Sequence, residues 1–156
     1  MRRAAKTDAN QGEIVETLRM VAAARRKVPP EREEQVRVVS WFHQAHRAYR
    51  GCLVASGNGL SIGGNTARQK AAHWQSFLRQ GGQPGASDLF LMVPRGRFAG
   101  LWIEMKRRDG SRHDVTDEEF LHIGLALRMG YQATWCAGSD EAISVISNYL
   151  AQIGGE

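Results

Sequence analysis

The stretch Gly85-Ala86-Ser87-Asp88, followed one short hairpin later by Ile103-Glu104-Met105-Lys106, constrains the fold of this chain more than any other feature. Leu89-Phe90-Leu91-Met92-Val93 and Gly100-Leu101-Trp102-Ile103 read as strands joined around Pro94-Arg95-Gly96-Arg97-Phe98-Ala99. Side chains in a strand alternate faces, so Glu104 and Lys106 point one way while Ile103 and Met105 point the other. A turn centred near Gly96 brings Asp88 opposite Glu104 in an antiparallel pair. Two carboxylates and an amine then share one face at one end of a hairpin. Like charges facing each other destabilise a sheet, so a cation is the natural reason to keep them there. The arrangement suits a divalent metal and a phosphodiester.

The rest of the chain is consistent with a single soluble domain. Its 156 residues are enough for a real core, and 42% of them are hydrophobic. A net charge of +5 and a pI near 9.7 favour a polyanionic partner such as nucleic acid. Cys52 and Cys136 lie far apart among apolar neighbours, which points to buried thiols of a reducing compartment and against a disulfide framework or a zinc site. No apolar run reaches the ~18 residues of a membrane helix. Met1-Arg2-Arg3-Ala4-Ala5-Lys6 has no hydrophobic stretch after it, so no secretory signal is expected and the location is expected to be cytoplasmic.

Residues 1–30 are expected to form a basic helical arm, with Ile14, Leu18 and Val21 along one side of a helix that ends before Pro29-Pro30. The main domain is expected to span residues 31–153. A helix from about Glu31 to Tyr49 carries Val38, Trp41, Phe42, Ala45 and Tyr49 at helical spacing, and that stripe extends back onto Glu34 and Glu31. A glutamate on a buried stripe needs a positive partner, and Glu34 is the one assigned to the site. A short strand at Cys52–Ala55 leads into a glycine-rich loop. A helix over residues 66–80 follows, with Ala67, Ala71, Trp74, Phe77 and Leu78 inward and Arg68 and Lys70 outward. Thr116-Asp117-Glu118-Glu119 fits a capping box opening a helix to about Met129, with Phe120, Ile123 and Leu127 buried. A strand over residues 131–136 and a last helix capped by Ser139 complete the order. The fold class is α/β or α+β, with a small mixed sheet flanked by helices.

Chemically, Asp88 and Glu104 are the metal ligands in this reading, and the Met105 backbone carbonyl is a third. Lys106 positions the attacking water or stabilises charge on the phosphorus, and Glu34 acts through water or on a second ion. Arg95, Arg97, Arg107 and Arg108, with Arg68 and Lys70, are the candidate phosphate-positioning groups. His43 and His46 lack a third metal ligand, and His113 and His122 lack a nucleophile nearby in sequence.

Gln83–Leu91, Gly100–Arg107, Gly130-Tyr131, Asp140–Ile143 and Tyr149-Leu150, with Glu34-Gln35 before Trp41 and the Asn58-Gly59 loop, resemble the VRR-NUC (virus-type replication-repair nuclease) family of the PD-(D/E)XK nuclease superfamily. The resemblance covers roughly residues 31–150. It implies a restriction-endonuclease-like core, dependence on Mg2+ or Mn2+, and hydrolysis of phosphodiester bonds in DNA, including branched or junction DNA. Small stand-alone members occur in phages and bacteria and tend to form homodimers. By resemblance, the family's acid, Glu-x-Lys and helix glutamate fall on Asp88, Glu104, Lys106 and Glu34. Three departures stand out. Ser87 occupies a place that is commonly proline. Glu119 stands where the family usually has glutamine, and its capping-box role accounts for it without catalysis. The usual proline before the Asn-Gly loop is absent, which weakens the case for Asn58. The alternative to an enzyme is a catalytically inert nucleic-acid-binding module on the same fold.

Overall fold

Two periodicities build the core. Leu101, Ile103 and Met105 alternate along one strand, Val38 and Phe42 lie one turn apart on a helix, and all five are fully buried. The computed structural model describes residues 12–20, 28–57 and 65–153. In chain order these form α1 (12–20), α2 (Glu31–Ala45), a single 3-10 turn at Arg47–Tyr49, β1 (Leu53–Ala55), α3 (Ala67–Arg79), β2 (Leu89–Leu91) and β3 (Leu101–Lys106). A second 3-10 turn at Arg112–Asp114 precedes α4 (Asp117–Arg128), β4 (Gln132–Ala137) and α5 (Gly138–Leu150). The predicted succession of elements holds from α2 onward.

The strands form one sheet in the order β1-β2-β3-β4. β1 and β2 pair antiparallel, as do β2 and β3, whereas β4 lies parallel to β3. Parallel neighbours need a crossover, and α4 provides it. On one face, Leu89, Leu91, Leu101, Ile103, Met105 and Cys136 pack against Val38 and Phe42 of α2 and Ala142, Ile146 and Tyr149 of α5. Burial of each large aliphatic side chain contributes about 1.5–3 kcal/mol. On the opposite face, Trp102 stacks on Phe90 at 4.4 Å, and His122 of α4 stands edge-on to Trp102 at 5.0 Å.

Several details differ from the sequence expectations. The helix over residues 31–49 stops at Ala45, and Arg47–Tyr49 is a separate turn. α3 carries no fully buried residue; Trp74 stacks on Phe77 at 5.3 Å yet remains 37% exposed, so its expected inward face is not part of the core. Leu127 is half exposed. The expected helical arm is helical and exposed over residues 12–20 and is not helical over 28–30, and residues 1–11 and 21–27 lie outside the described residues.

The hairpin turn is tied to the C-terminal end of α5. Arg95 Nε donates to the Leu150 carbonyl at 3.2 Å, its guanidinium lies 5.3 Å from the centre of the Tyr49 ring, and the Gly96 N–H donates to the Ile153 carbonyl at 2.8 Å. Arg95 is therefore a clamp within the fold. It and Arg97 sit at the opposite end of the hairpin from Glu104, roughly 20 Å away at about 3.3 Å per residue.

Glu34 also holds the fold together. It is fully buried, and its carboxylate accepts the Ser139 hydroxyl at 2.7 Å and the Ser139 N–H at 3.0 Å. Arg108 spans the same carboxylate, with Nε donating to Oε1 at 3.1 Å and a terminal nitrogen donating to Oε2 at 3.4 Å. Ser139 does not cap α5 as expected; it lies in the first turn, and Glu34 satisfies that turn from another helix. Burial would raise the Glu34 pKa, but the Ser139 and Arg108 hydrogen bonds outweigh it and hold it below its ordinary value. Its stabilising effect is therefore full at neutral pH and is lost in acid, as the pH falls through the depressed folded value. Glu34→Ala strands the Ser139 N–H and is expected to cost on the order of 1–3 kcal/mol in denaturant unfolding at pH 7; unchanged stability would contradict this role.

Candidate active site

Register decides what meets at the head of β2. Leu89 faces Ile103, Phe90 faces Trp102 and Leu91 faces Leu101. One further step in the same register sets Asp88 opposite Glu104, as the turn at Gly96 predicts. Asp88 Oδ2 accepts the Met105 N–H at 2.8 Å, and the Asp88 carbonyl accepts the Ser56 N–H at 2.8 Å. Glu104 and Lys106 project together from the face opposite Ile103 and Met105, and Lys106 Nζ donates to Glu104 Oε1 at 2.9 Å. The second oxygen, Glu104 Oε2, is buried with no N–H or hydroxyl facing it, and the carboxyl groups of Asp88 and Glu119 lie within hydrogen-bonding reach of Glu104. This is the C-terminal end of a strand in a parallel pair, where open α/β sheets place their ligands.

α4 completes the surroundings. Thr116 accepts from the Glu119 N–H while Glu119 Oε2 accepts the Thr116 N–H at 2.9 Å, so the capping box forms as predicted. The same Glu119 oxygen also lies 2.9 Å from Lys106 Nζ. Capping and contact with the lysine are thus both satisfied, and the glutamate cannot be read as a cap alone. Lys106 is wedged between two carboxylates.

The helix glutamate that faces this cluster is Glu31, one turn before Glu34. A cleft of about 380 Å³ is lined by Glu31, Lys106, Arg107, Asp109, Gly110 and Asp114. Glu34 takes no part, since Ser139 and Arg108 engage its carboxylate on the other side of the helix end. Both glutamates lie on the buried stripe of α2, and nothing in α2 itself distinguishes them. The distinction comes from Ser139, which is distant in sequence.

Charge is concentrated here. Burial, and then the Asp88 carboxylate, push Glu104 up to about 8 despite the Lys106 hydrogen bond. Burial also raises Asp88, against the pull of the Met105 N–H and Lys106. Glu31 is raised by burial too, with Lys106 opposing and Asp88 and Glu119 adding to it. Lys106 moves the other way from what burial alone would do, because Glu104 and Glu119 hold its proton in place. Glu119 ends below its ordinary value, as the Thr116 N–H and Lys106 outweigh its desolvation. Four carboxyl groups therefore surround a single ammonium.

The predicted basic groups do not gather here as a set. Arg107 borders the cleft, where it is paired with Asp109 at 3.0 and 3.1 Å. Arg108 is engaged with Glu34, and Arg95 and Arg97 belong to the far end of the hairpin. Arg68 and Lys70 are exposed on α3. Asn58 lies outside the described residues. Among the described residues, no three acidic, histidine or cysteine side chains converge on a common metal position; Asp88 and Glu119 each approach Glu104. No described helix is long and apolar enough to cross a membrane.

No protein-family model and no curated protein gives a match to this chain. Among solved structures, one described as a VRR_NUC domain protein matches with a TM-score of 0.68 and 26% sequence identity, over 83% of this chain and 95% of its own. With its four-stranded mixed sheet, its helices and this likeness taken together, the chain has a VRR-NUC-like fold.

Proposed function

We propose that this chain is a Mg2+- or Mn2+-dependent deoxyribonuclease. The observation that carries the reading is Asp88 set opposite the buried Glu104, with no donor facing Glu104 Oε2 and with Lys106, which lines the cleft, against Oε1. The donor set fits a hard divalent ion. Burial raises both carboxyl groups and Asp88 raises Glu104 further, a cost that a cation relieves, and Mg2+ accepts one or two acids while keeping its own waters. Asp88 and Glu104 would hold it. The Met105 carbonyl would join them, since it leaves the strand on the same edge as the Met105 N–H that reaches Asp88. When bound, such an ion supplies Lewis acidity toward a phosphodiester and lowers the pKa of water.

The residues of the chain supply the rest. Lys106 is fixed as a cation by Glu104 and Glu119, so it serves to bind and stabilise negative charge on the phosphate and does not act as a base. Glu31, at the cleft wall with a raised pKa, is the carboxylate suited to orient water and take its proton at a side-chain oxygen. It assumes the role expected of Glu34. Arg107 at the cleft, with Arg68 and Lys70 on α3, provides sequence-independent and salt-sensitive phosphate contacts. A preference for branched DNA and assembly as a homodimer belong to the same reading.

Linear, flapped and branched DNA, offered with Mg2+ or Mn2+ and with EDTA, tests it. Cleavage is expected only with metal and is expected to vanish in Asp88→Ala and Glu104→Gln; binding without cleavage under every condition would show an inert module instead. Lys106→Ala is expected to lower kcat by about 10²–10³ while titrations with Mn2+ alone change little, and a large loss of metal affinity would refute its assignment. Glu31→Gln is expected to reduce cleavage without the loss of stability expected of Glu34→Ala, whereas the reverse pattern would restore Glu34 to the site. Without metal, Glu104 keeps its proton to about 8 in the folded chain and releases it near 4.5 when unfolded. The folded state then binds more protons between those values, so its stability is expected to fall as pH rises across that window. Glu104→Gln should flatten that slope, and an unaltered slope would show that Glu104 ionises normally.

A further inference from the structure

The loop that delivers Asp88 is gripped by α4 at two points. At Gly85 the backbone has φ +73°, and a Cβ there would lie 2.5 Å from the Glu118 backbone carbon, so only glycine lets the loop approach the helix this closely. At Ser87, which is fully buried, the N–H donates to His122 Nδ1 at 3.2 Å, and the hydroxyl lies 3.2 Å from the same nitrogen. His122 is one helical turn beyond Glu118 and is braced edge-on against Trp102 at 5.0 Å. A ring nitrogen that accepts an N–H carries no proton, so the neutral ring bears its hydrogen on Nε2. Burial favours that neutral ring.

We propose that His122 is a positioning residue of the site: by accepting the Ser87 N–H at Nδ1 it holds the loop so that Asp88 reaches the Met105 N–H and lies beside Glu104. Proline, which has no N–H, would need no such acceptor, whereas serine leaves a buried donor that must be paired. The Ser87 hydroxyl beside an imidazole also resembles a nucleophile and its base, but a fully buried hydroxyl cannot reach a substrate. The consequence for catalysis rests on the proposed role of Asp88; the contact itself does not.

Amide hydrogen exchange at Met105 reads the position of Asp88 directly, because that N–H is held by Asp88 Oδ2. In His122→Phe, which keeps a ring against Trp102, Met105 is expected to exchange about tenfold faster while amides of α5 are unchanged. DNA cleavage with Mg2+ should fall with it. His122→Asn, which offers Oδ1 where Nδ1 stands, should restore both. Unchanged Met105 exchange in His122→Phe, or failure of His122→Asn to restore it, would overturn the proposal. The wild-type chain provides a check that needs no variant: nitrogen chemical shifts should show His122 protonated at Nε2, and protonation at Nδ1 would overturn the clamp. Ser87→Ala keeps the N–H, so Met105 exchange is expected to be unchanged there; faster Met105 exchange in that variant would overturn the proposal by moving the clamp to the hydroxyl. If Met105 exchange responds as expected in a chain that cuts no DNA, the clamp stands and the nuclease reading fails.

Discussion

The site depends on strand register. Once Leu89 lies opposite Ile103, Asp88 has no choice but to approach Glu104, and Lys106 follows two residues later on the same face. A slip of one residue would turn Glu104 and Lys106 into the apolar core and bring Met105 out. Burial on both sides of β3 makes such a slip costly, because Leu101, Ile103 and Met105 fill the space beneath α2 and α5. The hydrophobic side of the strand thus enforces an electrostatic conflict on the other side. Two carboxylates are held in a poorly hydrated position that neither would occupy alone, and the single lysine beside them does not neutralise the excess.

The helices divide the supporting work. α4 presents Glu118, Glu119 and His122 along one side, and these meet the Gly85 backbone, the Lys106 ammonium and the Ser87 N–H respectively. α2 contributes twice from its first turn. Glu31 reaches the cleft, whereas Glu34 fastens the helix to the start of α5 and to Arg108 just beyond β3. A single stripe of the helix therefore supplies one acid to the cleft and one to the framework that keeps the cleft in place. Glutamate at 119 gives this chain a negatively charged partner for Lys106 where an amide would leave the ammonium with Glu104 alone.

Much of this was legible in the sequence because it rests on local rules. Alternation along 101–106 and a glycine turn at 96 were sufficient for the facing of Asp88 and Glu104, and Thr116 with Glu119 announced the start of α4. What escaped depends on residues far apart in the chain. Glu31 and Glu34 are equivalent by helical spacing, and only the arrival of Ser139 separates them. Arg95 and Arg108 look like phosphate contacts by composition, yet the Leu150 carbonyl and Glu34 claim them. The apolar residues of α3 suggested a core helix, but none of its residues is buried. His122 gave no sequence signal, since its partner Ser87 is distant and lacks a motif of its own.

Asp88 and Glu104 are proposed to share one divalent ion. Anomalous diffraction from crystals of the chain soaked in Mn2+ tests it directly. A single peak within coordination distance of both carboxylates, on the edge of β3 that carries the Met105 carbonyl, is the predicted result. Side chains of Asp88 and Glu104 turned apart, with no peak between them at saturating Mn2+, would contradict it.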